Sequence, residues 1–173
     1  MRNFDYCTYT YLHRKAFLYC VNKLITNEKD KIEMLERAKK HDLDKVLYYQ
    51  FLPKKEASNL HRTTCSHHME NDIKKTYYDY LEAIIDYECA GYTKPDKPLN
   101  AFDTINKFNP KDKEILLSIL HNMGLDYSYT VTNDEIGMKY IQKIKDVTEE
   151  DILRELLSYI SKNPQVYFDF EKI

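Results

Sequence analysis

The sequence predicts an all-α fold, a multi-helix bundle with a helical extension at the C-terminus. Turn-forming residues are sparse, since only 3 glycines and 5 prolines occur among 173 residues. Leu, Ile, Lys and Glu, which are compatible with helices, are frequent. Apolar residues also recur at helical spacing through most of the chain. We place the main domain at residues 1–125 and expect residues 126–173 to pack on it as the extension.

The first half of the chain contains three segments with helical apolar spacing. The first covers about residues 5–25 and places His13 on its core-facing side. A second helix is expected to begin near Glu28, because the preceding Asn27 is of a type that caps helix N-termini. A third, short helix covers about residues 46–51.

The middle of the chain predicts one long helix after an irregular stretch. One or two helical turns are expected over residues 54–62, followed by a loop at residues 63–66. The long helix should cover about residues 70–90, because its apolar residues form one broad face. Gly91 suits the C-terminal cap of that helix.

The pattern in the last part of the chain predicts short helices and one stretch without helical spacing. Helical spacing occurs in four further segments, at residues 101–108, 111–123, 133–145 and 149–161. Thr148 followed by Asp151 resembles a capping box at the start of the final helix. Residues 126–132 could be extended.

The net charge and the cysteines exclude several classes of protein. A formal net charge of −2 gives no overall attraction to nucleic acid, so we expect no nucleic-acid partner. No run of about 18 apolar residues occurs, so we expect no membrane partner. The four cysteines match no zinc motif or disulfide framework, which favours a reducing, cytoplasmic location. The oligomeric state stays open, and a homodimer is compatible with the sequence.

The histidines are unevenly distributed along the chain. Five of the six lie within the first 68 residues, namely His13, His41, His61, His67 and His68. Neutral imidazole is the commonest metal ligand among side chains. With carboxylates from the same region it forms a nitrogen and oxygen ligand set, which suits Mn, Fe, Co, Ni, Zn or Mg. We therefore expect one or two divalent metal ions per chain.

His41 and Asp42 are adjacent, so both can bind one metal ion, or the carboxylate can bridge two. Lys45 follows one helical turn later, where its ammonium could neutralise a phosphate oxygen of a substrate. The alternative interpretation is a helix end with solvated charges. The dipeptide alone does not decide between the two.

Asp86 lies in an apolar stretch beside Ile85 and Cys89, where a buried carboxylate needs a compensating partner. A metal ion is one such partner, and an ion pair with a surface lysine is the other. Glu82 is four residues before Asp86 and therefore lies on the same helix face.

The order of a His, then a His–Asp pair, then an Asp, each on a separate helix, resembles the HD superfamily of metal-dependent phosphohydrolases. The segment HDLDK at residues 41–45 is similar to the HDxxK form of its two-metal members. Those members carry extra histidines between the pair and the final Asp, an interval that here contains His61, His67 and His68. The resemblance implies an HD-like helical bundle.

Three further segments resemble an uncharacterised HD-like family of bacteria and phages, a domain of unknown function. They are LHRTTCSHHMEN at residues 60–71, LEAIIDYECAG at residues 81–91 and PLNAFDTINKF at residues 98–108. The likeness covers about residues 10–120. Two positions depart from the family pattern, since Asp44 stands where Ser is common and Tyr87 where Trp is frequent.

The resemblance implies a role for each candidate residue. The metal ligands would be His13, His41, Asp42 and Asp86, with His61 and His67 completing the site. The catalytic candidates are Lys45 and Arg62 as phosphate contacts, His68 as general acid and Glu82 as a residue that orients a ligand. Which of the three later histidines bind metal stays open.

The function implied is hydrolysis of a nucleotide or another phosphoester by a metal-activated water molecule. The expected partner is therefore a small phosphorylated substrate. The alternatives are a binding module that captures a nucleotide without turnover, and an interaction protein of a phage or mobile element with an HD-like fold. An open coordination position beside the metal would favour the enzyme.

Overall fold

The computed structural model describes residues 1–144 and 146–163, and this part of the chain is all-α. It contains nine α-helices, a short 3₁₀ helix at Val131–Asn133 and no strand. The helices are α1 (Phe4–Leu24), α2 (Glu28–Ala38), α3 (Leu43–Tyr48), α4 (Lys54–Thr64), α5 (Tyr77–Thr93), α6 (Ala101–Phe108), α7 (Lys113–Asn122), α8 (Glu135–Lys143) and α9 (Glu149–Lys162). The predicted all-α fold class is confirmed.

Helices α1 and α5 form the centre of the bundle and pack on each other more extensively than any other pair. Phe17 and Val21 of α1 and Ile84 and Ile85 of α5 are completely buried in the main apolar core. Burying a side chain of this size contributes about 1.5–3 kcal/mol. This contact fixes the two helices that carry His13 and Asp86.

The start of α5 differs from the prediction of a helix over residues 70–90. The helix begins at Tyr77, because Thr76 and Asp79 form a reciprocal capping box at its N-terminus. The preceding residues are irregular, and Ile73, which we assigned to the apolar face, is 38% exposed. The irregular stretch leaves His67 and His68 in a connection between α4 and α5.

Gly91 does not cap α5, which continues to Thr93. A Cβ atom at this position would lie 2.2 Å from Val131 Cγ2 and 2.7 Å from the Leu99 carbonyl oxygen. The glycine is therefore required by close packing inside the helix. The stretch predicted as extended contributes only an isolated antiparallel bridge between Thr130 and Leu99.

Most other helix boundaries agree with the sequence. Asn27 accepts a hydrogen bond from the Asp30 amide, and the Thr148–Asp151 capping box is present, as predicted. Helix α4 is longer than expected and includes Thr63 and Thr64, which we assigned to a loop.

Asp134 connects the C-terminal helices to the centre of the bundle. Its carboxylate accepts hydrogen bonds from the Tyr19 and Tyr92 hydroxyls at 2.7 and 2.8 Å. It also pairs with the Lys23 ammonium at 2.6 Å. Burial raises the pKa of Asp134, but Lys23 and the two hydroxyls lower it well below its usual value of 3.8. The ionised carboxylate therefore joins α8 to α1 and α5.

Helix α9 packs on a second, smaller apolar cluster. Ile152 and Leu156 bury their side chains with Val46 and Leu47 of α3. The predicted extension over residues 126–173 ends outside the described part, since residues 164–173 lie beyond it. None of the described helices has the length and apolar character needed to cross a membrane.

Candidate metal centre

Side chains from four helices and two connections converge beside the middle of the α1–α5 pair. His13 of α1 and Asp86 of α5 meet directly, with His13 Nε2 2.7 Å from Asp86 Oδ1. His41, from the connection between α2 and α3, places its Nε2 atom 3.5 Å from the same carboxylate oxygen. Three residues that are far apart in sequence thus meet at the Asp86 carboxylate.

Asp42 lies at the centre of the cluster. Its Oδ1 atom is 3.0 Å from His61 Nε2, 3.6 Å from His67 Nε2 and 3.7 Å from His41 Nε2. Its Oδ2 atom is 4.0 Å from His13 Nε2. The residue adopts a left-handed conformation, with φ of 58°, which Asp and Asn tolerate better than most residue types. The two carboxylate oxygens therefore face different sets of histidines.

The cluster contains polar atoms that are buried without a hydrogen-bond partner. Among the described residues, six such side-chain atoms occur, and five of them belong to the cluster. They are Asp42 Oδ1 and the Nε2 atoms of His41, His61, His67 and His68. Leaving a polar group buried and unpartnered costs about 1–3 kcal/mol, so five together require a common explanation.

The spacing of these atoms fits the coordination shell of a cation. Ligand atoms about 2.1 Å from a metal ion are separated by about 3.0–3.4 Å at octahedral and tetrahedral angles. The distances from Asp42 Oδ1 to the three imidazole nitrogens, 3.0–3.7 Å, lie close to this range. Two sets of residues each place their ligand atoms within 4.8 Å of one another. One set is His13, His41 and Asp42, and the other is His61, His67 and His68.

The other ring nitrogen of each central histidine contacts a carboxylate. His41 Nδ1 lies 2.9 Å from Glu82 Oε1, and His67 Nδ1 lies 3.3 Å from the same atom. His61 Nδ1 lies 2.9 Å from Asp44 Oδ2. In a neutral imidazole, a carboxylate that accepts from one ring nitrogen leaves the lone pair on the other nitrogen, and a bound cation would take the place of the second proton there.

Glu82 is itself held in place by a partly buried arginine. Arg37 of α2 donates to Glu82 and to Asp79 at 2.9 Å each. Asp79 also accepts from the Ser66 hydroxyl, at 2.6 Å, next to His67. These contacts connect α2, α5 and the histidine-bearing connection, and they fix the orientation of the glutamate.

The ionisation of the cluster is strongly perturbed. Burial lowers the pKa of His41, but neighbouring carboxylates, Asp42 foremost, raise it to about 10. Burial raises the pKa of Asp42, whereas His41 and His61 lower it well below its usual value of 3.8. Burial and the adjacent His67 lower the pKa of His68 to about 3, which keeps its imidazole neutral. Ionised carboxylates thus surround a position that requires positive charge.

Lys45 and Tyr9 lie where the cluster is partly open. Lys45 Nζ is 4.0 Å from Asp42 Oδ2, and the side chain is 21% exposed. The Tyr9 ring stacks on His13 at a centroid distance of 6.1 Å. Asp86 keeps 18% of its side chain exposed, so solvent reaches the cluster from this direction.

The structure brings together nine of the ten predicted site residues and separates one. Arg62 is exposed on α4, and its guanidinium lies 3.8 Å from Glu70 instead of near the cluster. His68 lies among the candidate ligands, within 4.8 Å of His61 and His67, although we assigned it to proton transfer. His121, which we left out, is exposed and pairs with Asp126 at 2.7 Å.

Three residues of the site were missed by the sequence analysis. Asp44 contacts His61, and Arg37 contacts Glu82, which in turn contacts His41 and His67. Cys65 lies 3.1 Å from Asp44. Helical periodicity could have indicated Arg37, which is four residues from His41. Nothing in the spacing of HDLDK indicates that Asp44 turns back toward α4.

A groove of about 1340 Å³ passes beside the cluster, with His41, Asp42 and His67 on its wall. Pockets for small ligands usually measure about 300–1,000 Å³, so the groove has room for a nucleotide. Its lining includes the cations Arg14, Lys15, Lys39, Lys40, Arg154 and Lys162. Four of these pair with glutamates, since Arg14 and Lys15 contact Glu155, Lys39 contacts Glu36 and Arg154 contacts Glu150.

Comparisons of this chain with protein families, curated proteins and solved structures gave no match. The resemblance to the HD superfamily therefore stays a prediction from the motifs.

Proposed function

We propose that this protein is a metal-dependent phosphohydrolase that acts on a nucleotide or another phosphoester. One observation supports it above the others, namely that five buried and unpartnered ligand atoms converge around Asp42. Folded proteins rarely leave so many polar atoms without partners, and one or two divalent cations would satisfy them.

Both the chemical type and the number of these side chains suit a divalent cation. The ligand set contains imidazole nitrogens and carboxylate oxygens, which suits Mn, Fe, Co, Ni and Zn. His13, His41, Asp42 and Asp86 would hold one cation, and His61, His67 and His68 would hold a second with Asp42 between them. A bound cation would supply a water molecule of lowered pKa and would stabilise charge on the phosphoryl oxygens.

The chain's own residues would position and neutralise the substrate. Lys45 lies at the open side of the cluster, where its ammonium can contact a phosphate oxygen. Burial lowers the pKa of Lys45, but Asp42 and other neighbours raise it overall, so the group stays charged. Glu82 orients two of the ligands, His41 and His67. Lys40 and Lys162 line the groove beside the cluster and would attract an anionic molecule.

We leave Arg62 out of the proposed site. Its side chain is 62% exposed and is paired with Glu70. The role of phosphate contact therefore passes to Lys45. His68 has a lone pair available near neutral pH, because its lowered pKa keeps the ring neutral. It is therefore better suited to bind a cation than to donate a proton.

The test compares two histidine variants that differ only in position. Protein stripped with a chelator is reloaded with Mn, Fe, Co, Ni, Zn or Mg, and its metal content is measured by elemental analysis. We expect at least one equivalent in the wild type and in His121→Ala, and a reduced content in His13→Ala. Hydrolysis is then assayed on nucleoside mono-, di- and triphosphates, dinucleotides and p-nitrophenyl phosphates.

Two outcomes would contradict the proposal. If wild-type protein bound none of these metals, the proposed metal site would be disproved. Stoichiometric metal without turnover of any substrate in the panel would favour a binding protein that retains a nucleotide. In that case equilibrium dialysis with labelled nucleotides would show retention by the metal-loaded protein.

A further inference from the structure

Asp44 makes an unusual set of contacts for a residue in the first turn of a short helix. Its two carboxylate oxygens lie 3.1 and 2.9 Å from His61 Nδ1, so both face the same ring nitrogen. The thiol of Cys65 donates to Oδ2 at 3.1 Å. The side chain is buried together with the imidazole of His61.

Helix stability alone does not account for this carboxylate. Asp44 makes no hydrogen bond to a backbone amide of α3 among the described contacts, and it has no lysine or arginine partner there. Removing a carboxylate from water is costly unless a hydrogen-bonded or charged partner compensates it. The partner that compensates Asp44 is His61.

The contact determines which nitrogen of His61 is available. A carboxylate only accepts hydrogen bonds, so the proton of the neutral imidazole must be on Nδ1. The lone pair is then on Nε2, the atom that lies 3.0 Å from Asp42 Oδ1 without a hydrogen bond. Two electron-rich atoms at this distance repel each other unless a positive charge lies between them.

Asp44 acts on a different part of the cluster from Glu82. Glu82 contacts His41 and His67, whereas Asp44 contacts His61. His61 faces Asp42 Oδ1, on the side away from His13. Loss of Asp44 should therefore affect the cation position that includes His61 and leave the position at His13 and Asp86.

We propose that Asp44 is a positioning residue that fixes the tautomer and orientation of His61 and thereby sets the affinity of the cation position at His61, His67 and His68. The proposal rests on the proposed function in one respect, that the cluster binds metal. Contacts of this kind usually change metal affinity by about 10–100-fold when they are removed.

The experiment measures metal binding, which is independent of any substrate. Chelator-treated protein is titrated with Co²⁺, and the visible absorption bands report the number and symmetry of the sites. Wild type is compared with Asp44→Asn, His61→Ala and the double variant. Asp126→Asn is the matched control, because it removes a carboxylate that pairs with a histidine outside the cluster.

We expect Asp44→Asn to weaken Co²⁺ binding about 10–100-fold at the position that includes His61, and to alter the absorption bands of that position. His61→Ala should weaken the same position further but leave measurable binding through the remaining ligands. The double variant should bind no more weakly than His61→Ala, because both changes act through one ligand. Asp126→Asn should match the wild type. Equal affinities for wild type and Asp44→Asn, or additive losses in the double variant, would overturn the proposal.

A measurement on the unaltered chain covers the case in which Asp44→Asn does not fold. Long-range ¹H–¹⁵N spectra of the Zn²⁺-loaded wild type should show His61 protonated at Nδ1 and coordinated through Nε2. The opposite tautomer would overturn the role of Asp44 while leaving the metal site intact. A wild-type chain that binds neither metal would overturn this proposal and the proposed function together.

Discussion

The change Asp42→Asn tests the centre of the proposed site most directly. Asparagine preserves the size of the side chain and tolerates the left-handed conformation of residue 42, but it removes the negative charge. Both carboxylate oxygens of Asp42 lie within 4.0 Å of imidazole nitrogens, so the change affects both groups of ligands. We expect the variant to fold and to lose most of its response to metal.

The size of that response follows from the number of cations that the cluster can hold. A cation at 100 times its Kd stabilises the folded state by about 2.7 kcal/mol. A gain of about 1 kcal/mol raises the Tm of a chain of this length by about 2–4 °C. One bound cation therefore predicts an increase of about 5–11 °C, and two cations predict about twice that increase.

Differential scanning calorimetry with and without a chelator measures this increase. Wild type and Asp126→Asn should show it at saturating Mn²⁺, Co²⁺ or Zn²⁺, and Asp42→Asn should retain only a small part. An Asp42→Asn variant with the full metal-dependent increase in Tm would refute the placement of Asp42 at the centre of the site.

Three further predictions concern other parts of the chain. Asp134→Asn should lower the Tm at pH 7, and the difference from the wild type should shrink as the pH falls below 3.8 toward the lowered pKa of the folded state. The folded state holds the pKa of this carboxyl below 3.8, so its contribution exists above that pH and is lost on acidification; a constant difference would contradict this. Gly91→Ala should lower the free energy of unfolding, measured in urea, by about 1–3 kcal/mol, because the added methyl would lie 2.2 Å from Val131 Cγ2. An unchanged urea midpoint would argue against the close contact. Lys45→Met should lower kcat without lowering metal content, since its ammonium lies beside the cluster; metal loss would instead assign Lys45 to maintaining the site.

The fold class and the positions of most helices could be predicted because they depend on local pattern. Apolar spacing located α1, and the cap at Asn27 located the start of α2. The start of α5 could not be obtained from apolar spacing, since the capping box at Thr76 outweighs the preceding apolar residue Ile73. Gly91 was misread because its neighbours, such as Val131, come from a distant part of the chain.

The candidate site was partly predictable because its principal residues lie on regular helices. His13 and Asp86 each lie on the inward face of a helix, so their approach followed from the packing of two amphipathic elements. The supporting contacts depend on irregular backbone. Asp44 meets His61 only because the chain turns sharply at Asp42, and no periodic pattern encodes that turn.

The unpartnered imidazole nitrogens have a consequence for the lifetime of the protein in a cell. If the cluster binds cations as proposed, each occupied position lowers the fraction of opened chains about 100-fold at the concentration considered above. Proteases degrade opened chains, so scarcity of metal would shorten the half-life of this protein before it limited catalysis. Its steady-state abundance would then follow the supply of the ion, with no dedicated sensor or regulator.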